Sequence, residues 1–130
     1  MEKMRAMVLS ECAKIETNPL KSTKIDKHQI ERSNEILLKI EACGVCHSQL
    51  HGIEGDWKHI GIPNTLPIVP GHEVVGEIIE IGEDVTKFKI GDRAGITPLL
   101  EACKNCQYCN EGKEYLCESS KITGETLKGG

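Results

Sequence analysis

A chain of 130 residues with a net charge of −4 has room for one domain and a modest apolar core, since domains run roughly 100–200 residues. Its 16 lysines and arginines are scattered, which excludes the basic stripe of a nucleic-acid binder. The N-terminus carries charge without an apolar stretch behind it, and no apolar run approaches the roughly 20 residues that cross a bilayer; a soluble, cytoplasmic protein with no membrane or nucleic-acid partner is expected. In that reducing compartment, cysteine clusters bind metal or do chemistry more often than they form disulfides.

In chain order, Arg5 to Leu9 reads as a first strand, with Ala13 to Thr17 as its candidate partner. Residues 18–34 are polar, carry Pro19 and read as loop or weak edge structure. Glu35 to Ala42 places Ile36, Leu38 and Ile40 in alternation and predicts a strand. From His47 to Gly55 the spacing of Leu50 and Ile53 predicts a short helix. Prolines 63, 67 and 70 then force an extended, irregular path. Glu73 to Ile81 is rich in Val and Ile and predicts a strand interrupted at Gly76, and Phe88 to Ile96 holds a turn at Gly91-Asp92 leading into another. After Pro98 the chain reads as a cysteine-rich loop. Short strands separated by turn signals predict a small all-β barrel rather than an α/β sheet.

Cys103, Cys106, Cys109 and Cys117 have the spacing C-x2-C-x2-C-x7-C. Tetrahedral zinc takes four such thiolates, and two-residue gaps let a tight loop turn its sulfurs toward one centre. With no open position the site is structural, holding a loop with little apolar content of its own. An iron–sulfur cluster and unrelated buried cysteines are the competing readings, and the spacing favours zinc over both.

The stretch Ala42-Cys43-Gly44-Val45-Cys46-His47-Ser48-Gln49-Leu50-His51 is the second concentration of ligand types. Alone, Cys43-x2-Cys46 fits half a zinc knuckle or a redox pair, although the chain offers neither the other half-knuckle nor a βαβ context. His72, in Pro70-Gly71-His72-Glu73-Val74-Val75-Gly76, stands where a histidine is more often an ordinary polar residue than a ligand; the adjacent glutamate and glycines shift that balance.

Together these segments carry a resemblance. Gly71-His72-Glu73-x2-Gly76-x5-Gly82-x2-Val85 matches the signature of zinc-containing alcohol dehydrogenases at every fixed position. Gly44-Val45-Cys46-His47-Ser48 resembles that family's catalytic-cysteine segment. Gly55-Asp56-Trp57, Lys89-Ile90-Gly91-Asp92-Arg93 and the four-cysteine lobe fall in the family's order. The resemblance runs from Arg5 to Gly130 and implies a mostly β, GroES-like, partly open barrel with short helices and a cysteine-rich zinc-binding lobe.

It also implies roles. Cys46 and His72 are expected to bind a catalytic zinc, with Glu73 against the metal, and a third strong ligand to come from beyond residue 130. Zinc lowers the pKa of an alcohol and so prepares hydride transfer; Ser48 is expected to take the proton and His51 to pass it to water, a step that suits a histidine. His47 is expected to face the cofactor pyrophosphate and Trp57 to line the substrate pocket. His51 also reads as a solvated helix residue, Trp57 equally as core packing, and Cys43 as a small buried residue. Cofactors implied are one structural zinc, one catalytic zinc, and NAD or NADP in the full-length enzyme.

Two departures stand out. Gln49 occupies a position where relatives usually have aspartate, a carboxylate expected to accept the ring N–H of the zinc-bound histidine; weaker zinc retention is the expectation. Pro98-Leu99-Leu100 lies where relatives often place an aromatic residue, which predicts an aliphatic pocket. No G-x-G-x-x-G follows a strand in these 130 residues. The domain expected over 1–130 is therefore the catalytic domain of a zinc-dependent alcohol dehydrogenase, ending before a nucleotide-binding Rossmann domain and inactive alone. Its substrate would be a small alcohol or aldehyde, and oligomers are left open for the full-length form. The alternative is a non-enzymatic or vestigial zinc-binding domain.

Overall fold

The computed structural model describes residues 2–126 and residue 129; residues 1, 127, 128 and 130 of the expected domain lie outside that description. Strand β1 (Lys3–Leu9) pairs antiparallel with β2 (Leu20–Asp26), Leu9 opposite Leu20 and Lys3 opposite Asp26. The expected partner of β1, Ala13 to Thr17, is instead a short 3-10 turn over Ile15–Thr17, whose Ile15 N–H is held by the Glu54 carboxylate at 2.9 Å. The true partner lies in the polar segment read as loop. Leu20–Asp26 is exposed along most of its length, so its conformation comes from pairing with β1 and not from an apolar pattern of its own.

The second sheet has the order β3 (Ile36–Cys43), β4 (Val74–Ile81), β5 (Arg93–Ile96), antiparallel throughout. Val74 and Ile78 turn inward from β4 and are buried. Gly76 does not interrupt this strand, which runs unbroken from Val74 to Ile81. The register of β3 slips between Leu37 and Leu38 and again between Ile40 and Ala42, pressing the Lys39 carbonyl against Gly76 so closely that a Cβ there would collide with it. The glycine is what lets the irregular strand pack. The expected turn at Gly91-Asp92 is present: Gly91 N–H donates to Ile78 O, and Ile78 N–H to Asp92 O, both at 2.8 Å.

Beyond Pro98 the chain is more ordered than a loop. Strand β6 (Leu99–Glu101) pairs with β7 (Lys121–Ile122), and this narrow hairpin frames the cysteine-rich lobe. Arg32 bonds both Glu35 and Glu101, and Lys121 bonds Glu101 at 3.0 Å, tying the hairpin to the start of β3.

Helix α1 (His47–Glu54) matches the expected span and stops at Gly55, which adopts φ 80°. Ile53 packs with Leu9 and Ile68 in the core, and Cys12 and Leu20 close over it. The proline-punctuated segment between α1 and β4, with cis peptides before Pro63 and Pro67, returns to β1 through reciprocal Leu9–Ile68 bonds of 2.8 and 2.9 Å. Burial of side chains such as Leu9, Ile68 and Ile78, each at most 1 % exposed, is worth about 1.5–3 kcal/mol apiece. Among the described residues the strands form small sheets and no closed cylinder, in keeping with a partly open barrel. No described helix is long and apolar enough to cross a membrane.

Candidate functional site

The loop after β3 and the start of β4 meet through a Gly44 N–H bond to Glu73 O of 2.9 Å. That contact brings Cys46, at the entry to α1, beside His72. The Sγ, one ring nitrogen and a carboxylate oxygen of Cys46, His72 and Glu73 all lie within 4.8 Å of one another. A Cβ at Gly44 would run into the Glu73 carboxylate and force that side chain to move. His72 is buried at 3 % exposure, while Glu73 is exposed. The Ser48 hydroxyl sits between the first two, 3.0 Å from Cys46 Sγ and 3.0 Å from His72 Nε2. A thiol, an imidazole nitrogen and a carboxylate at this separation form a mixed donor set of the kind zinc accepts.

Gln49 does not reach His72. Its Oε1 accepts the Cys46 N–H at 3.2 Å, capping the first turn of α1, so no described side chain takes the place of the expected carboxylate on the His72 ring. A small cavity of about 10 Å³ lies behind, lined by Ser48, Gln49, His72 and Glu125 among others, room for about one water. Glu125 went unmarked in the sequence, where nothing distinguishes it from surface glutamates. Loss of solvent raises its pKa, and the nearby His72 acts in the opposite direction.

On α1, His47 and His51 stack with ring centroids 4.8 Å apart, and Trp57 also stacks on His51 at 5.0 Å. Trp57 is thus a partner of His51, half-buried and apart from the Leu9 core. His51 Nδ1 lies 2.8 Å from Asp56 Oδ2. That bond, with Lys14 as a further positive neighbour, lowers the Asp56 pKa. Cys43 is exposed, contrary to its reading as a buried residue, because β3 turns it outward at its last position. Leu99 and Leu100 lie in β6, and Leu100 is exposed.

The four cysteines of the lobe converge, their sulfurs all within 4.8 Å. Helix α2 (Gln107–Asn110) and a 3-10 turn over Glu114–Leu116 set their directions. Backbone N–H groups point at the sulfurs: Cys106 N–H at Cys103 Sγ, 3.3 Å; Cys109 N–H at Cys106 Sγ, 3.5 Å; Cys103 N–H at Cys117 Sγ, 3.4 Å. Such donors stabilise thiolates. Those from Asn105 and Cys106 lower the Cys103 pKa to about 6. Desolvation, followed by the bond to Cys106, pushes Cys109 up to about 12. Four sulfurs and no oxygen donor fit a closed, structural zinc shell.

A β domain with one all-thiolate cluster and one mixed donor set defines a module suited to binding two metal ions. The profile of the "Alcohol dehydrogenase GroES-like domain" matches residues 32–130, and the chain belongs to the zinc-dependent medium-chain alcohol dehydrogenase family, as its GroES-like N-terminal domain. An alcohol dehydrogenase from Geobacillus stearothermophilus is 43% identical over 127 residues, covering 98% of this chain and 35% of that protein. NADP-dependent alcohol dehydrogenase C 1 of Mycolicibacterium smegmatis is 36% identical over 83% of this chain and 30% of its own length. The crystal structure of the alcohol dehydrogenase from Aeropyrum pernix superposes with a TM-score of 0.83 at 30% identity, covering 98% of this chain and 35% of that one. The chain thus spans about a third of the length of the relatives it matches.

Proposed function

We propose that these 130 residues are the alcohol-binding, zinc-carrying part of an alcohol:NAD(P) oxidoreductase. The observation that carries this reading is the convergence of Cys46 Sγ, His72 Nε2 and the Ser48 hydroxyl within hydrogen-bonding reach, beside an exposed Glu73 carboxylate. Cys46, His72 and Glu73 would hold the catalytic zinc, and Cys103, Cys106, Cys109 and Cys117 the structural one. A zinc held at the first site supplies Lewis-acid polarisation of the substrate oxygen and lowers the pKa of an alcohol toward neutrality.

The rest belongs to the side chains. Ser48 Oγ, already placed between the two ligand atoms, accepts the alcohol proton. His51, three residues further along α1 and therefore on the same helix face, delivers it to solvent. His47 faces the dinucleotide phosphates, and Trp57, standing against His51, borders the substrate. The nicotinamide is held by a nucleotide-binding unit outside these 130 residues, so the chain alone does not turn over alcohol. Substrates are small alcohols and the matching aldehydes or ketones, and the protein works in the cytoplasm.

Metal analysis tests this reading directly. The purified chain should carry one tightly held zinc and a second at partial occupancy. Cys46→Ser should remove only the second, and Cys106→Ser the first. NAD(P)+ reduction by the isolated chain with a panel of alcohols would overturn the placement of the nicotinamide. A second zinc unaffected by Cys46→Ser would overturn the catalytic site.

A further inference from the structure

We propose that Asp56 is the positioning residue for His51: its carboxylate holds the ring through Nδ1–H and leaves Nε2 free as the atom that receives the proton. The inference rests on the proton-exit role given to His51 under Proposed function, and goes beyond it by naming the residue that fixes the histidine and the nitrogen that acts.

The geometry begins with the end of α1. Gly55, at φ 80°, reverses the chain in one residue. Asp56 N–H then returns to His51 O at 3.0 Å, and Asp56 Oδ2 comes to 2.8 Å from His51 Nδ1. One side chain and one backbone bond from the same residue therefore clamp the same histidine. An ionised carboxylate only accepts hydrogen bonds, so a nitrogen at this distance must carry the proton. That decides the tautomer, Nδ1–H with a lone pair on Nε2, the opposite of the form that a neutral imidazole free in water favours.

Stacking restrains the ring plane as well: His47 stacks on His51 at 4.8 Å and Trp57 at 5.0 Å, while the carboxylate sets the ring's in-plane direction. His59 Nδ1 bonds the Asp56 backbone carbonyl at 3.1 Å and leaves the carboxylate to His51. Lys14, paired with Glu54 at 3.2 Å, acts with His51 to keep the Asp56 carboxyl ionised. When Nε2 takes a proton, the ring becomes an imidazolium facing that carboxylate, and the pair then releases the same Nε2 proton to water. Proton number and charge balance over the cycle, and Asp56 is never protonated. A buried acid performs the same orienting task for the histidine of hydrolytic triads; here the pair is solvent-exposed, as a proton exit requires.

The test reads nitrogen protonation in the zinc-loaded chain by long-range proton–nitrogen spectra of 15N-labelled histidines, at a pH where the ring is neutral. The His51 signals are assigned by their loss in His51→Gln. His51 should show the Nδ1–H pattern in the parent. It should shift to the Nε2–H pattern in Asp56→Ala, and keep Nδ1–H in Asp56→Asn, whose carbonyl still accepts. Unchanged backbone amide spectra outside residues 51–59 serve as the fold check. An Nε2–H ring in the parent, or one tautomer in parent and Asp56→Ala alike, overturns the assignment. If the tautomer follows Asp56 but His51→Gln leaves turnover of the complete enzyme unchanged, the proton-exit role of His51 fails and the Asp56–His51 assignment stands.

Discussion

Removing zinc from the four-cysteine shell should melt residues 103–117 and leave the β sheets folded. This lobe has almost no core: Cys117 is its sole buried residue, and Tyr108, Tyr115 and Leu116 are 38, 71 and 46 % exposed. Ordering its backbone costs about 15–30 kcal/mol at roughly 1–2 kcal/mol per residue. Roughly ten hydrogen bonds, including the N–H···S set and turns such as Lys113 N–H to Tyr108 O at 2.7 Å, return about 1 kcal/mol each. A structural zinc contributes about 10–16 kcal/mol, which brings the midpoints of these ranges into balance near zero, and its loss leaves the lobe on the unfolded side. Hydrogen exchange resolved by residue is the assay. After chelation, or in Cys106→Ser, the amides of Cys109, Gly112 and Lys113 should lose protection, while those of Ile78 and Gly91, which lock β4 to the following turn, keep theirs. Undiminished lobe protection in fully metal-free protein would refute the reasoning, as would simultaneous loss across both regions.

Other substitutions separate the centres and the core. Ile78→Ala, at 0 % exposure in β4, should lower unfolding stability by about 2–5 kcal/mol in denaturant titration, whereas Cys46→Ala should leave the denaturation midpoint unchanged while removing the second zinc. Gly44→Ala should expel the Glu73 carboxylate from its place beside Cys46 and His72 and weaken zinc retention there, read by chelator competition; normal retention would show that Glu73 is not needed. Gln49→Asp should raise zinc affinity at the same site by about 10–100-fold if a carboxylate can reach His72, and equal or lower retention counts against that. Glu35 is held below the usual carboxylate range by the Glu31 backbone N–H and by Arg32, and Glu101 by Arg32 and Lys121. Their stabilisation is thus fully present above pH 4.5 and is lost as pH falls through the lowered folded values. Arg32→Ala should flatten that acid limb slightly in stability measured against pH, solvent screening keeping the effect of such exposed pairs small.

How much was legible in the sequence depended on what fixed each element. The α1 boundaries came through because they are written locally: Leu50 and Ile53 mark the face and Gly55 supplies the left-handed stop. Strand β2 was hidden because nothing in Leu20–Asp26 demands a strand except β1 across from it; a long-range partner leaves no trace in a local pattern. The same holds for β6 and β7, whose two or three residues gain their conformation by closing the base of the lobe. Gly76 misled for a related reason. A glycine in a strand reads as an interruption until the bulged neighbour that needs its missing side chain is known.

The candidate site divides along the same line. Ligand types were visible because metal chemistry restricts them to cysteine, histidine and carboxylates at short spacings, and the two groups so marked are the two that converge in space. Residues that act on those groups are another matter, since a carboxylate or amide serves many purposes. Gln49 faced a choice between the His72 ring and the end of its own helix, and only the fold shows that it caps Cys46. Asp56 lay in view beside Trp57, but its meaning depends on a reversal at Gly55 that brings it onto His51. Chemistry confined to a few residue types can be read from order and spacing. The groups that orient it are chosen by the path of the backbone, which sets Gln49 on the Cys46 N–H and Asp56 on the His51 ring.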